Sequence, residues 1–320
     1  MPIFHHKPPP GPGDTSPAPP DPDELAAALA ALEQGGIPPK AVRRLAELRQ
    51  GNRTLFTSDL SVNEFALIVK SGLTPVSQVM GSSVYHVGWQ GTPMNSWGYG
   101  RGAHQLGVLS EAWNNARALA LSRLQQEAQH AGADAVVGVH IQWGAHDFAP
   151  NSVEMVAVGT AVRTGNEQRT DPPILTDLSG QEVYALLSAG FRPVGIVAAT
   201  TVFYVVPQWA TQQMSSGWAW GSSWQNAELP DFTQAFYTAR ETAFGALNRQ
   251  ALALGAHGII GVKLSQNIAA REVDQGGAGK RVDLIITLHV IGTGIVEAPG
   301  ASGPRPLPVT TNLDLSERAG

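Results

Sequence analysis

The chain contains the stretch Gly132-Ala133-Asp134-Ala135-Val136-Val137-Gly138-Val139 directly after an alanine-rich helical pattern. The second half repeats it as Gly255-Ala256-His257-Gly258-Ile259-Ile260-Gly261-Val262, with the same spacing between the paired glycines. Arg117 of the first helical pattern returns as Arg240, again the same distance ahead of the glycines. Self-similarity of this kind indicates an internal repeat. The sequence therefore predicts a tandem duplication of one small module.

The repeat extends outward from this stretch. Asp59-Leu60-Ser61 returns as Asp177-Leu178-Ser179. The spacing between the copies changes only before the long helix and in the last hairpin, and loops are where a duplicated fold tolerates insertions. These matches place module 1 at residues 52–164 and module 2 at residues 172–297.

Each module reads as an α+β unit with a mainly antiparallel sheet and one long helix. A short strand (residues 54–57 or 174–176) precedes a short helix, for which Asp59 and Asp177 are the expected N-caps. A β-branched run then predicts a long strand, apolar residues spaced three to four apart predict the long helix, and a hairpin completes the module. The apolar residues of the first long helix are Leu109, Ala112, Trp113, Ala116, Ala120, Leu124, Ala128 and Ala131.

Two extensions flank the modules. Residues 1–51 begin with a Pro-rich stretch that favours an extended, disordered chain, and they continue with short helical patterns at residues 23–33 and 41–48. That helical pair either docks on module 1 or forms a free arm. Residues 298–320 are again rich in Pro, Gly and Ser, and we expect them to be disordered.

The last strand of each module is apolar on both faces. Val156 and Val158 share one face, whereas Met155 and Ala157 share the other, and residues 284–291 of module 2 have the same character. One helix layer covers one face of a sheet, so the other face needs a cover from the sister module, another chain or both. The charged fraction of 15% also favours a surface that is partly covered by other subunits.

The long helix and the strand after it resemble the YbjQ-like family, described as heavy-metal-binding domains. The resemblance rests on the two quoted stretches, on residues 239–244 and on Val158-Gly159-Thr160-Ala161-Val162. It covers both modules and neither extension. It implies an α+β module that assembles into small closed rings, commonly of five, and it supplies no set of metal ligands. The joined copies and the Trp-rich loops depart from the family.

Composition excludes several classes of protein. The chain has no Cys, which excludes disulfides, thiolate metal sites and a cysteine nucleophile, and its net charge of -5 gives no reason to expect nucleic acid. No apolar run is long enough for a transmembrane helix, and residues 1–22 carry no signal-peptide pattern. We therefore expect a cytoplasmic protein that does not bind membranes.

The best local set of metal ligands is His140, His146 and Asp147, at the start of the module 1 hairpin. A transition-metal site needs several such side chains that converge. Module 2 has Lys263 in place of His140, and a charged Lys cannot bind a metal. We therefore expect surface or interface histidines and no cofactor, with a transition-metal site as the alternative.

The same strands carry polar side chains on one face. His140 and Gln142 share a face in module 1, and Lys263 and Ser265 share the corresponding face in module 2. In a ring such a strip would line a channel or meet a neighbouring subunit. The alternative is a solvated hairpin edge.

Most tryptophans lie in the loops that precede the two long helices. Large rings on an uncharged, Gly- and Ser-rich backbone suit a contact with another protein, a carbohydrate platform or a membrane-interface belt. The alternative is that the rings pack on their own module or on a ring neighbour. The residues assigned to these loops are Trp89, Trp97, Tyr99, Trp209, Trp218, Trp220 and Trp224.

The repeated motif residues are predicted to serve the fold or an interface rather than a ligand. Arg117 and Arg240 lie beside the alanine stripe, where an ion pair would account for their repetition. The repeated glycines suit helix ends and close packing. They are Gly132, Gly138, Gly255 and Gly261.

No catalytic constellation is recognisable, because no Ser lies in a Gly-x-Ser-x-Gly turn and no His–acid pair recurs with one. We predict a non-enzymatic, homo-oligomeric scaffold or binding protein that closes into a ring, with five chains as the expected number. The modules then lie in separate tiers, which their divergent loops favour, or alternate round one larger ring. A metal-binding protein is the alternative, and an enzyme with its active site at a subunit interface is a third option.

We predict that the purified, untagged chain holds no stoichiometric transition metal, because it lacks Cys and module 2 does not reproduce the His140 cluster. Elemental analysis measures this directly. About one Zn, Ni or Cu per chain, lost on His140→Ala or His146→Ala, would contradict the prediction.

Overall fold

The structure is a computed structural model of the full chain. It describes residues 21–49, 56–89, 101–144, 151–165, 170–208, 211, 226–274 and 280–298. The two tails that the sequence predicts to be disordered lie outside these residues for most of their length. We refer to residues 56–165 as the first half and to residues 170–298 as the second half.

The described residues form six helices and eight strands. The helices are α1 (Pro22–Glu33), α2 (Pro39–Arg49), α3 (Val62–Lys70), α4 (Gly107–His130), α5 (Gly180–Ser188) and α6 (Pro230–Ala253). The strands are β1 (Leu73–His86), β2 (Gly102–Gln105), β3 (Ala135–Gly144), β4 (Ser152–Thr164), β5 (Ile174–Leu175), β6 (Phe191–Val206), β7 (Gly258–Asp274) and β8 (Lys280–Glu297). None of these helices has both the length and the apolar character needed to span a membrane.

The strands form two four-stranded sheets, in the orders β1-β4-β3-β5 and β2-β6-β8-β7. Every pairing is antiparallel except the one between β3 and β5. Each half supplies one long helix of 24 residues, α4 or α6. The predicted α+β class, with a mainly antiparallel sheet and a long helix in each half, is therefore confirmed.

The short helices α3 and α5 begin with the same local device. Ser61 caps α3 and forms a capping box with Glu64, and Ser179 forms the same box with Glu182 on α5. The prediction that Asp59 and Asp177 are the caps was wrong. A Glu three residues after each serine completes the box there and leaves both aspartates free for other bonds.

The repeated glycines allow backbone geometry that other residues resist. Gly138 and Gly261 have φ values of 66° and 64°, and each lies where the register of its strand shifts by a bulge. Gly132 and Gly255, with φ values of 72° and 67°, follow the long helices. Left-handed φ favours glycine at all four positions. The repeated stretch thus ends a helix and bends the strand that follows.

The two halves exchange elements at their junction. Strand β5 of the second half pairs in parallel with β3 of the first half, with Ala135 opposite Ile174. Strand β2 of the first half pairs antiparallel with β6 of the second half, from Gly102 opposite Val206 to Gln105 opposite Phe203. Each sheet therefore contains a strand from the other half.

Helix α4 is covered by both halves. Ala120 and Leu124 are fully buried in one cluster that also contains Val202 and Tyr204 of β6. The opposite face of β6 packs against α6 through Phe203. For the second half's sheet, one of the expected covers of the second face, the sister half, is therefore present within the chain.

The helical pair at the N-terminus docks on α4. Ile37 and Leu45 are buried in a cluster with Ala131. The Arg123 guanidinium of α4 donates to the carbonyls of Gly36 and Leu32 at 3.0 and 2.9 Å. Of the two alternatives, a docked pair and a free arm, the structure has the docked pair.

Substituting Gly81→Ala is expected to destabilise the protein. A Cβ at this position of β1 would lie 2.0 Å from the Ala120 carbonyl oxygen and 2.4 Å from the Leu124 nitrogen, so α4 must move away from the strand. Overpacking of this kind costs about 1–3 kcal/mol in unfolding free energy. Urea denaturation measures the loss.

The matched control is Gly107→Ala at the start of α4. A Cβ there meets nothing within 4 Å, so its denaturation midpoint should stay at or above the wild-type value. Equal midpoints for the two variants would contradict the close approach of α4 to β1.

Candidate functional site

Helix α4 covers the outer edge of β6 at the junction. The Leu106 N–H donates to the Val202 carbonyl at 2.8 Å, and the Ser110 hydroxyl accepts from the Val202 N–H at 2.9 Å. Asn114 accepts from the Thr200 N–H at 3.0 Å and donates to the Thr200 carbonyl at 2.8 Å. Backbone groups at a sheet edge need such partners when they are buried. The first half thus satisfies the edge of the second half's sheet.

Arg117, one turn after Asn114, is a buried positive charge. It donates through Nη1 to the Thr200 hydroxyl at 2.7 Å and through Nη2 to the Ala198 carbonyl at 2.8 Å, with a further bond to Asn114. The residue is 8% exposed, and burial lowers the pKa of its guanidinium to about 10, so it is still charged at neutral pH. None of its partners among the described residues is a carboxylate.

Arg240, at the repeated position, has different surroundings. It is exposed on α6, and its guanidinium lies over the Phe244 ring at 4.8 Å from the centroid. The two arginines therefore share a place in the sequence pattern and differ in burial and partners. An ion pair at this position is seen for neither of them within the described residues.

His289 of β8 lies beside Arg117. Its Nδ1 is 2.9 Å from the Thr200 hydroxyl, and Trp143 stacks on its ring at 4.5 Å. Burial, and then the charge of Arg117, lower the pKa of His289 to about 4, so the imidazole is neutral. Since Arg117 donates to the Thr200 oxygen, we assign the hydroxyl proton of Thr200 to Nδ1 and the imidazole proton to Nε2.

These side chains line a cavity between the halves, which we call the junction cavity. Its volume is about 180 Å³, and its walls are mostly apolar. Arg117 and His289 supply polar groups inside it, and the exposed residues His140 and Lys263 lie at its rim. The other lining residues are Val139, Ile141, Trp143, Met155, Asp177, Ala198, Leu264, Ser265, Val290 and Ile291.

The rim carries two corresponding acid–base pairs. Asp177 lies 3.2 Å from the Lys263 ammonium, and Asp59 lies 3.7 Å from Nδ1 of His140. Each aspartate also accepts a hydrogen bond from a threonine of its own half, Thr293 or Thr160. His140 and Lys263 of the predicted polar strip therefore lie at the rim of the junction cavity, where both are exposed.

Several predicted site residues lie outside the described residues. These are His146, Asp147, Trp97, Tyr99, Trp209, Trp218, Trp220 and Trp224. Trp89 is described, and its side chain is 89% exposed. The roles predicted for the Trp-rich loops stay predictions.

The sequence analysis missed His289, Trp143 and Thr200. They come from three strands in two halves, so no local spacing joins them. One signal was present: His289 interrupts the apolar face formed by residues 284–291, and a histidine on a buried strand face needs a polar partner.

Comparisons with known proteins give two findings. A model of the YbjQ family, described as "Putative heavy-metal-binding", matches residues 102–165 of this chain. The encapsulin nanocompartment protein Rv1762c of Mycobacterium tuberculosis is 38% identical over 236 residues. That alignment covers 72% of this chain and 84% of the relative.

The described residues give no fit for the metal that the family description names. Within these ranges, no three His, Asp or Glu side chains are placed together as a metal site, and the sequence has no Cys. Of the predicted ligands, His140 is described and lies beside Asp59. The metal site stays a prediction.

The neutral state of His289 predicts a loss of stability in acid. Between its ordinary pKa of 6.5 and its folded pKa of about 4, the unfolded chain binds a proton that the folded chain excludes. The unfolding free energy should therefore fall as the pH drops from 6.5 to 4, by about 3 kcal/mol from this group. His289→Asn, whose amide oxygen can accept from Thr200, should remove that part of the loss.

His86→Asn, an exposed histidine on β1, serves as the control and should keep the wild-type pH dependence. Urea denaturation between pH 7 and pH 4 gives the comparison. The same acid loss in His289→Asn and in wild type would contradict the lowered pKa of His289.

Proposed function

Since the chain belongs to the same family as the Mycobacterium tuberculosis encapsulin nanocompartment protein, we propose that it is a non-enzymatic scaffold that assembles head to tail with copies of itself. We also propose that it is a tandem duplication of a YbjQ-like module. The name of the relative refers to a nanocompartment, which is an assembly. The observation that carries the proposal is the uncovered edge of β7.

The corresponding edge of β3 is covered within the chain. Gly138 and Val139 donate their N–H groups to the carbonyls of Leu178 and Thr176 at 2.9 and 3.0 Å. Thr176 in turn donates to the Val136 carbonyl at 2.9 Å. The segment just before α5 is thus added to the first half's sheet as a parallel strand.

The edge of β7 lacks such a segment. In the repeat, Gly261 and Val262 hold the positions of Gly138 and Val139, yet β7 is the outermost strand of its sheet within the described residues. Val262 is 40% exposed, whereas Val139 is 2% exposed. An open edge of this kind is a template for a strand from another chain.

The first half carries the matching segment in an uncovered state. Residues 56–60 correspond to residues 174–178, and the helices that follow them correspond as well. On α5, Val183 is 2% exposed at the junction, whereas Phe65 on α3 is 37% exposed. Phe56 stacks on Phe65 at 5.9 Å and is also exposed. The first half therefore presents the segment at residues 56–60, and the second half presents the edge of β7, which corresponds to the edge that residues 174–178 cover.

The neighbouring contacts also have counterparts. Val183 packs in a cluster with Val137 and Val162 of the first half. Ile260 and Ile295 hold the corresponding positions in the second half and are only half-buried. We propose that Phe65 of a second copy packs on these two isoleucines. Within the chain, α5 approaches α3 closely at Gly180. Val62 holds the corresponding position on α3, so the two short helices must lie farther apart in the contact that we propose between chains.

A head-to-tail contact repeated from chain to chain makes a filament unless it closes, and we propose a closed ring. The two halves of one chain meet through the same kind of contact that we propose between chains. First and second halves would then alternate round one ring, and we favour this arrangement over stacked tiers. Each chain supplies two modules, so five chains would give ten. The Trp-rich loops remain the proposed site for another protein, and the cytoplasm remains the proposed location.

Phe65→Glu is expected to dissociate the assembly. Burying a Phe side chain contributes about 1.5–3 kcal/mol, so its loss should weaken the contact by about tenfold or more. Light scattering should show a multiple of the 33.8 kDa chain for wild type and a shift toward the single-chain mass for the variant. The far-ultraviolet circular dichroism should not change.

Leu29→Glu is the control, because Leu29 is also an exposed apolar residue and lies on α1, away from both proposed contact surfaces. It should keep the wild-type mass. A single-chain mass for wild type at micromolar concentration would contradict self-assembly, and an unchanged mass for Phe65→Glu would contradict this contact.

A further inference from the structure

The second inference concerns Arg117 and holds whether or not the chain forms rings. A charged group away from water is stable only with good partners, and a lone buried charge is costly. The hydrogen bonds recorded for Arg117 use Nη1 and Nη2 and go to three neutral acceptors. Within the described residues no carboxylate balances its charge. An anion beside the guanidinium would balance this charge.

The other basic side chains at the rim of the junction cavity already have acidic neighbours. Lys263 lies beside Asp177, and His140 lies beside Asp59, at the rim. His289 is neutral, and Nε2 carries its proton by the assignment above, so it can donate a hydrogen bond. Arg117 is thus the one cavity-lining cation among the described residues that has no acidic neighbour.

The walls restrict which anion fits. Val139, Ile141, Met155, Leu264 and Val290 are apolar and lie on strands of both halves. A phosphate or sulfate would lose its hydration without gaining polar partners on these walls. A carboxylate with an apolar body would place its charge at the guanidinium and its body on the aliphatic walls. Trp143 adds a ring against which a flat body can stack.

The size of the cavity limits the ligand further. Its volume of about 180 Å³ is close to that of a protein cavity of about 150 Å³ that binds benzene. We propose that the junction cavity binds a small monocarboxylate with an aromatic or short aliphatic body, whose carboxylate pairs with Arg117. Both halves contribute to the site, so the ligand would also link them.

The repeat supplies a matched control. Arg240 has the same place in the second half, but it is exposed and lies over Phe244. If the ligand requires a buried guanidinium without an acidic neighbour, its binding depends on Arg117 and not on Arg240. If surface charge alone attracts the ligand, its binding depends on both arginines to a similar extent.

Isothermal titration calorimetry with benzoate tests the site on the full chain. Benzoate should bind at least about tenfold more tightly than benzamide, which has the same shape without the charge, because a hydrogen bond between two charged groups is stronger than one to a neutral group. Arg117→Gln should weaken benzoate binding by a similar factor, whereas Arg240→Gln should leave it unchanged.

Two measurements do not depend on how Arg117→Gln folds. The comparison of benzoate with benzamide uses the wild-type chain, and Ser265→Trp, at a half-buried position of the lining, should block entry. The proposal is overturned if wild type does not bind millimolar benzoate, or if benzamide binds equally. It is also overturned if Arg240→Gln weakens binding as much as Arg117→Gln, or if Ser265→Trp leaves binding unchanged.

Discussion

The structure depends on the requirement that the edge of a β-sheet finds hydrogen-bond partners. At the junction this requirement is met twice, by β5 on the edge of β3 and by β2 with α4 on the edge of β6. Because each half supplies the cover for the other, neither sheet has its full set of strands alone. The same requirement, unmet at β7 within the described residues, is the basis of the proposed self-assembly.

Local signals predicted most of the elements. The short helix predicted in each half is present as α3 and α5, and the left-handed glycines after the helices follow from helix-end chemistry. The exchange of β2 and β5 was not predictable, because a strand of two or four residues has no periodicity of its own and pairs with a distant partner. The caps were misassigned because Asp59 and Asp177 are good cap residues in isolation, and the decisive Glu lies three residues beyond each serine.

The candidate site was predictable only in part, for the same reason. Arg117 stood out because it repeats, and the polar strip at His140 and Lys263 followed from strand alternation. What the repeat could not reveal is that Arg117 is buried and Arg240 is exposed. That difference arises from what lies against each arginine: Arg117 bonds to β6 of the other half, whereas Arg240 lies over Phe244 of its own helix.

The different fates of Arg117 and Arg240 have an evolutionary consequence. In a ring of identical single modules, every contact is the same, so a mutation that creates a binding site changes all contacts at once. In our proposal this chain is a duplication with two kinds of contact, one within the chain and one between chains. In that proposal the contact within the chain is held together covalently and accepts an unpaired charge and a cavity, while the contact between chains stays under selection for cohesion alone. Gene duplication followed by fusion would in this way separate the evolution of ligand recognition from that of assembly.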